Sequence, residues 1–292
     1  MFYPDKIEGN QYAIKNEWRE VTIRDAEKLK AIELPEYFKR IYKEDDKEER
    51  VKLVSELTDK DLDVVIPDVQ SEVLCLLSDI PRDIVFRLEA NALREVYNEI
   101  LAPIHLGIVF YAPAKVEKIE HFKIGKVTYK LPFKTNILGN DVPMYTETAL
   151  PFCDALEFTK ANIEGLSSIV AILCRPENEK YKEENTLKRS EMFKDLPMSI
   201  AWNVFFILNE TVETIDSQFK WVFGKSSTDS KTKSAFNRSG LNSFGCIAWM
   251  YEVAQSGICG DIDKIKEMRL YEFMSVLSYL RSSDKLIRYA QR

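Results

Sequence analysis

The segment from Met198 to about Phe223 limits what this chain can fold into more than any other. Trp202, Phe205, Phe206, Leu208, Val212, Ile215, Phe219 and Trp221 recur there at helical spacing but extend round more than one face. At 1.5 Å per residue such a helix is roughly 40 Å long. A helix that is apolar on several faces needs neighbours on each, so it belongs at the centre of a body built from other helices. Asp195-Leu196-Pro197 supplies an N-cap with Pro in the first turn. Arg175-Pro176 ends the apolar helix before it, because the residue preceding Pro is driven away from helical angles. The tract between these signals, Glu177 to Lys194, alternates charges in sign, as at Glu179, Lys180, Lys182 and Glu183. It reads as the exposed helix of a helical hairpin rather than as a site or a tail.

The rest of the chain is helical by the same signals. Thr22-Ile23-Arg24-Asp25 has capping-box spacing with Asp in place of Glu, and Ala26, Leu29 and Ile32 follow at helical spacing until Leu34-Pro35. Phe38, Ile41 and Tyr42 mark a second short helix, and Val51, Val54 and Leu57 a third. Val69, Val73, Leu76 and Leu77 share a face beyond Pro67. Phe152, Leu156 and Phe158, then Leu166, Ile169, Val170 and Leu173, place helices ahead of Arg175. Two more helices, separated by SGICGD, close the chain, with Leu270, Phe273, Met274, Leu277 and Leu280 as the core face of the last.

Between these helices the period changes to two. Phe122 and Ile124, then Val127, Tyr129 and Leu131, alternate with polar residues. Gly125-Lys126 between them suits a two-residue type II′ turn with Gly at the position of positive φ. The expectation is a hairpin with one apolar face, completed by a third strand over 106–111, because two strands alone are marginal in water. The fold class is therefore mainly α, a multi-helix body with a small antiparallel insert around 104–131. The expected regions are an N-terminal helical part (1–103), the β-rich insert (104–135), a central helical part (136–223), a basic Ser/Lys-rich loop (224–240) and a C-terminal helical part (241–292).

Composition narrows the function. With 45% hydrophobic residues among 292, the chain can fill a core, and a net charge of −6 gives no whole-chain attraction to nucleic acid or an anionic membrane. The five cysteines are odd in number and sit mostly in apolar context, which reads as free buried thiols in a reducing compartment. The opening MFYPDKIEGN lacks the order of a secretory signal, and no apolar run reaches the roughly 20 residues of a membrane span. A soluble chain made in a cytosol is expected.

Signals for chemistry fail one by one. The two histidines, His105 and His121, lie in strand-like segments and read as packing residues. No HExxH, CxxC or GxSxG is present, so neither a zinc site nor a serine nucleophile is indicated. Gly224-Lys225-Ser226 ends like a phosphate-binding loop, but Phe219 stands where its first glycine is needed. Asp261 and Asp263 begin like a calcium loop and are better explained as helix N-capping. The paired acids Asp45-Asp46, Glu48-Glu49 and Glu183-Glu184 lie in runs that alternate with Lys and Arg, as on a solvated face. No catalytic, cofactor or metal residue is assigned; an enzyme would need a deep pocket lined by clustered carboxylates.

Several segments taken together carry a resemblance. EWREVTIRDAEKL near the N-terminus, IGKVTYKL, AILCRPENEKY followed by MFKDLPMSIAWNVFFIL, and SFGCIAWMYEVAQSG followed by DIDKIKEMRLYEFMSVLSYL are similar to a family of structural and assembly proteins of crAss-like and related Bacteroidetes-infecting tailed bacteriophages. The resemblance runs from about Trp18 to Tyr289 and rests on helix-packing patterns. It implies a non-enzymatic subunit of a ring in the neck or tail, made in the host cytoplasm and located in the virion. Its partners would be copies of itself and other neck or tail proteins. No membrane or sequence-specific nucleic acid is implied beyond passive contact with passing DNA. The alternative is a cytosolic tail-assembly chaperone that binds another phage protein and leaves before the particle matures.

Two elements are candidate interfaces for either role. The hairpin over 116–131 could dock its apolar face, through Phe122, Ile124, Val127 and Tyr129, on a neighbour, or pack it on its own body. The loop over 224–240 carries Lys225, Lys231, Lys233 and Arg238 against one acidic residue and could order against an acidic partner.

Overall fold

The structure is a computed structural model that describes residues 6–7, 10–32, 34, 66–110, 119–134, 144–219 and 245–290. The expected helices at Phe38 and Val51, the basic loop 224–240 and the end of the long helix beyond Phe219 lie outside these residues. The protein is mainly α with a small antiparallel component. It divides into two compact units, one made of 1–115 with 194–199, the other of 116–193 with 200–292.

In the first unit, the short strands β1 (Lys6–Ile7) and β2 (Asn10–Gln11) pair antiparallel. Helix α1 (Ile23–Ala31) begins at the capping box read in the sequence: the Thr22 hydroxyl accepts from the Asp25 N–H, and the Asp25 carboxylate accepts from the Thr22 N–H. Burial pushes the Asp25 carboxyl up, but bonds from Lys15 and Thr22 outweigh it and hold the group below its ordinary value. Ile23, Ala26 and Leu29 are buried. The returning segment 194–199 runs beside this helix start, with the Ile23 N–H on Leu196 O at 3.0 Å and the Met198 N–H on Val21 O at 2.7 Å. Asp195, expected as an N-cap, instead receives Arg24 through Nε at 2.8 Å.

Helix α2 (Ile66–Leu77) buries Val73 and Leu77 as expected, together with Gln70, Ser71 and Leu74, while Val69 and Leu76 are half-buried. After α3 (Arg82–Val85), α4 (Ala90–Val96) continues through a π-turn (Tyr97–Leu101) into α5 (Ala102–Val109). Pro103 has no N–H to give Glu99 and its ring crowds that carbonyl, so the ladder slips and the Ala102 N–H bonds Tyr97 O instead. Helix α5 overturns two expectations: the described part of the expected third strand, 106–110, is the end of a helix and its cap, and His105 is helical. IHLGIVF is apolar on every side, so its periodicity could not separate a buried helix from a buried strand.

In the second unit, β3 (His121–Ile124) and β4 (Val127–Lys130) form the expected hairpin, with Phe122 opposite Tyr129 and Ile124 opposite Val127. Gly125 has φ +56° and Lys126 does not share its positive φ, which fits a type II′ turn. The third strand is β7 (Arg175–Pro176), which pairs with β4 through Lys130 and Arg175, so the sheet order is β3-β4-β7. A second ribbon joins β5 (Phe133–Lys134) to β6 (Met144–Tyr145).

Helix α6 (Ala149–Phe158) passes through a 3₁₀ segment (Thr159–Gly165) into α7 (Leu166–Leu173), whose buried face includes Ile169, Val170 and Leu173. Helix α8 (Glu183–Phe193) packs on α7, where the Ser190 hydroxyl lies 3.1 Å from those of Ser167 and Ser168. The charged tract is thus helical only from Glu183. Helix α9 (Met198–Gln218) is buried all round over Ala201–Phe205, as its apolar faces require.

Helices α10 (Gly245–Gln255), α11 (Ile262–Glu267) and α12 (Leu270–Ala290) close the chain, three where two were expected. Asp261 caps α11 by accepting from the Lys264 N–H at 3.1 Å. Leu270, Phe273, Met274 and Leu277 are buried, and Leu280 is half-buried. The cysteine expectation is corrected: Cys153 of α6 and Cys246 of α10 form a disulfide, with Cα atoms 5.1 Å apart, while Cys75, Cys174 and Cys259 are free. Pairing is a matter of which helices pack, and local apolar context does not carry it.

Candidate functional site

The hairpin's apolar face turns inward. Phe122 and Tyr129 stack at 5.4 Å, and both meet Phe193 of α8 edge-on, at 5.8 and 5.1 Å. Both residues are buried, so neither is free to receive a neighbour. Ile124 is half-buried, and Val127 alone of the four stands exposed, at 42%. Lys225, Lys231, Lys233 and Arg238 lie outside the described residues.

The other side of the same sheet borders a cavity of about 1170 Å³. Its walls are the ends of β4, β5 and β7, the segments 146–150 and 177–181, and α11 with Arg269. Backbone bonds fix each wall. Leu131 N–H bonds Glu120 O at 3.0 Å and Thr146 N–H bonds Pro132 O at 2.9 Å. Leu270 N–H bonds Glu147 O, and Ala149 N–H bonds Met268 O. Asn178, at φ +67°, turns the chain after Pro176, so that Glu179 N–H bonds Pro176 O at 3.1 Å.

Arg175 is the buried charge of this cavity, at 6% exposure. Its Nη1 donates to Ile172 O, an orphan carbonyl of the α7 C-terminus, at 2.5 Å. Its Nη2 is paired with Glu147, and its guanidinium lies 5.7 Å from the centre of the Tyr181 ring. Its Nε is buried and has no partner. Burial pulls the guanidinium below its ordinary pKa. The Tyr181 hydroxyl donates to Asp154 at 2.6 Å, and burial with that carboxylate pushes the phenol up. Burial likewise raises the Asp154 carboxyl. The buried Tyr145 hydroxyl also lacks a partner.

Six carboxylates line the cavity (Glu120, Glu147, Glu177, Glu179, Asp263 and Glu267), which is the clustering an enzyme would need. Six cations line it with them (Lys130, Lys134, Arg175, Lys180, Lys266 and Arg269), and Arg189 stands outside the lining. Glu147 pairs with Arg175, Glu177 with Lys130, Glu179 with Arg189 and Asp263 with Lys266. Lys134, Lys180 and Arg269 have no carboxylate partner among the described residues. The arrangement therefore suits recognition of charge.

Of the residues expected at an interface, the four that are described, Phe122, Ile124, Val127 and Tyr129, do not line this cavity. Arg175, Glu147 and Tyr181 were missed. The one local sign was a single Arg after an apolar helix and before Pro, a charge that the fold must bury or exploit. Among the described residues, no group of three His, Cys, Asp or Glu could hold a metal ion, and no helix is long and apolar enough to cross a membrane. No protein family, curated protein or solved structure matches this chain.

Proposed function

We propose that the protein is a non-enzymatic structural subunit of a tailed-phage virion, repeated in a ring of the neck or tail. The observation that carries this reading is where the resembling segments fall. TIRD is a helix cap, the helix of AILC ends at Arg175-Pro176, DLPM leads into the central helix, and LYEFMSVL is a buried helix face. All four build the body, as the shared patterns of a structural family do. Large apolar side chains also stand in solvent on the second unit, led by Leu187 (68%) and Tyr279 (64%), as on a surface that meets neighbours. A ring repeats one heterologous contact until it closes.

The cavity favours a second reading, a tail-assembly chaperone, because a space of this size and mixed charge can seat a segment of another phage protein. Mass spectrometry of purified particles tests the proposal. The chain is expected in the particle in many copies. Its absence there, with abundance in the infected cell, overturns the virion reading in favour of the chaperone.

A further inference from the structure

We propose that the cavity beside β7 receives a carboxylate group on the Nε–Nη2 edge of Arg175. A guanidinium offers its Nε–H and the neighbouring Nη2–H as a parallel pair that fits the two oxygens of a carboxylate. In this protein the pair is half used. Glu147 meets Nη2, Nη1 is taken by Ile172 O, and the buried Nε has no acceptor. An unpaired N–H on a buried charged group is costly, and native proteins seldom leave one without a reason.

The surroundings fit an acidic guest. Arg175 is fixed at its backbone by pairing with Lys130 and at its side chain by Ile172 O and the Tyr181 face. Glu147 is the more exposed half of the pair, at 36%, and part of the cavity wall. It holds the guanidinium until a guest carboxylate takes both donors. Exposed Lys180, with no carboxylate partner among the described residues, stands at the same wall and draws anions toward it. A phosphate can also accept from both donors of such an edge, so the titration compares the two anions directly. The inference stands apart from the virion reading and holds whether the acid is a small molecule or the C-terminal carboxylate of another chain.

Calorimetric titration of the full chain with succinate, inorganic phosphate and chloride at matched ionic strength tests it. Saturable succinate binding is expected, in preference to phosphate and chloride. Glu147→Gln removes the resident competitor and is expected to tighten binding about tenfold, and Lys180→Glu to weaken it several-fold. Arg175→Lys, which keeps the charge and loses the planar edge, is expected to abolish it. Arg175 also supports the fold, so the Glu147 and Lys180 variants decide the question if Arg175→Lys does not fold. Absence of saturable succinate binding in both wild type and Glu147→Gln overturns the proposal, as does equal affinity in wild type, Glu147→Gln and Lys180→Glu, or a preference for phosphate. A tripeptide with a free C-terminus, compared with its amide, separates the sources. Binding of the acid alone makes a protein chain end the guest, and binding of succinate without the peptide makes it a small acid.

Discussion

Tyr97 and His105 share a hydrogen bond of 2.8 Å between the Tyr hydroxyl and the His Nδ1, with both side chains fully buried. The bond closes across the π-turn that Pro103 imposes, and the rings meet edge to face at 5.9 Å. His105 Nε2 has no partner, so a second N–H on the imidazolium would find no acceptor.

Acid should therefore weaken the first unit. Burial pulls the His105 pKa from 6.5 down to about 4. The unfolded chain then binds the proton more readily than the folded one, and stability falls as pH drops from about 6.5 to about 4. The loss reaches about 3 kcal/mol at the lower end and is absent above pH 7. Urea midpoints measured between pH 7 and 4.5 should show this slope in wild type and a flatter one in His105→Asn. Equal slopes would remove His105 as the cause.

Reduction should destabilise the second unit. The Cys153–Cys246 disulfide closes a loop between residues 93 apart in sequence, and losing such a link costs typically about 2–4 kcal/mol. Non-reducing peptide maps should show these two cysteines joined. A thiol reductant, or the double change Cys153→Ala and Cys246→Ala, should lower Tm, and the reductant should have no further effect on the double variant.

The 3₁₀ segment between α6 and α7 makes two changes of opposite sign. A Cβ on Gly165 would lie 2.0 Å from Phe158 O, a backbone atom, so Gly165→Ala should cost about 2 kcal/mol. Asn162 sits at φ 53° and ψ −125°, a region that suits glycine, so Asn162→Gly should stabilise by about 1 kcal/mol. Chemical denaturation of both variants checks the pair.

Phe193 should matter more than any exposed hairpin residue. It is the ring on which Phe122 and Tyr129 both rest, and Phe193→Ala should cost about 3–5 kcal/mol. Val127→Asp, on the exposed rim, should change stability by no more than about 0.5 kcal/mol. Loss of self-association by native mass spectrometry in Val127→Asp, with Tm unchanged, would place Val127 in a contact between copies. A Tm drop matching that of Phe193→Ala would contradict the inward face of the hairpin.

The sequence by itself determined the features whose partners lie within one turn. The Thr22–Asp25 capping box, the Gly125-Lys126 turn, the Asp261 cap and the end of α7 before Arg175 all follow from bonds over four residues or fewer. The all-round burial of α9 over Ala201–Phe205 also followed, because its aromatic and aliphatic residues there extend round more than one face. It failed at α5, where an apolar run has no readable period, and at Asp195, whose Arg24 partner is 171 residues away in sequence. Only the tertiary structure decided that Arg175-Pro176 completes the sheet, that Cys153 meets Cys246, and that Arg175 reaches Glu147 at the wall of a cavity. Each of those depends on which helices and strands settle side by side, and that is set by the burial of whole faces against one another, a quantity no short stretch of residues contains.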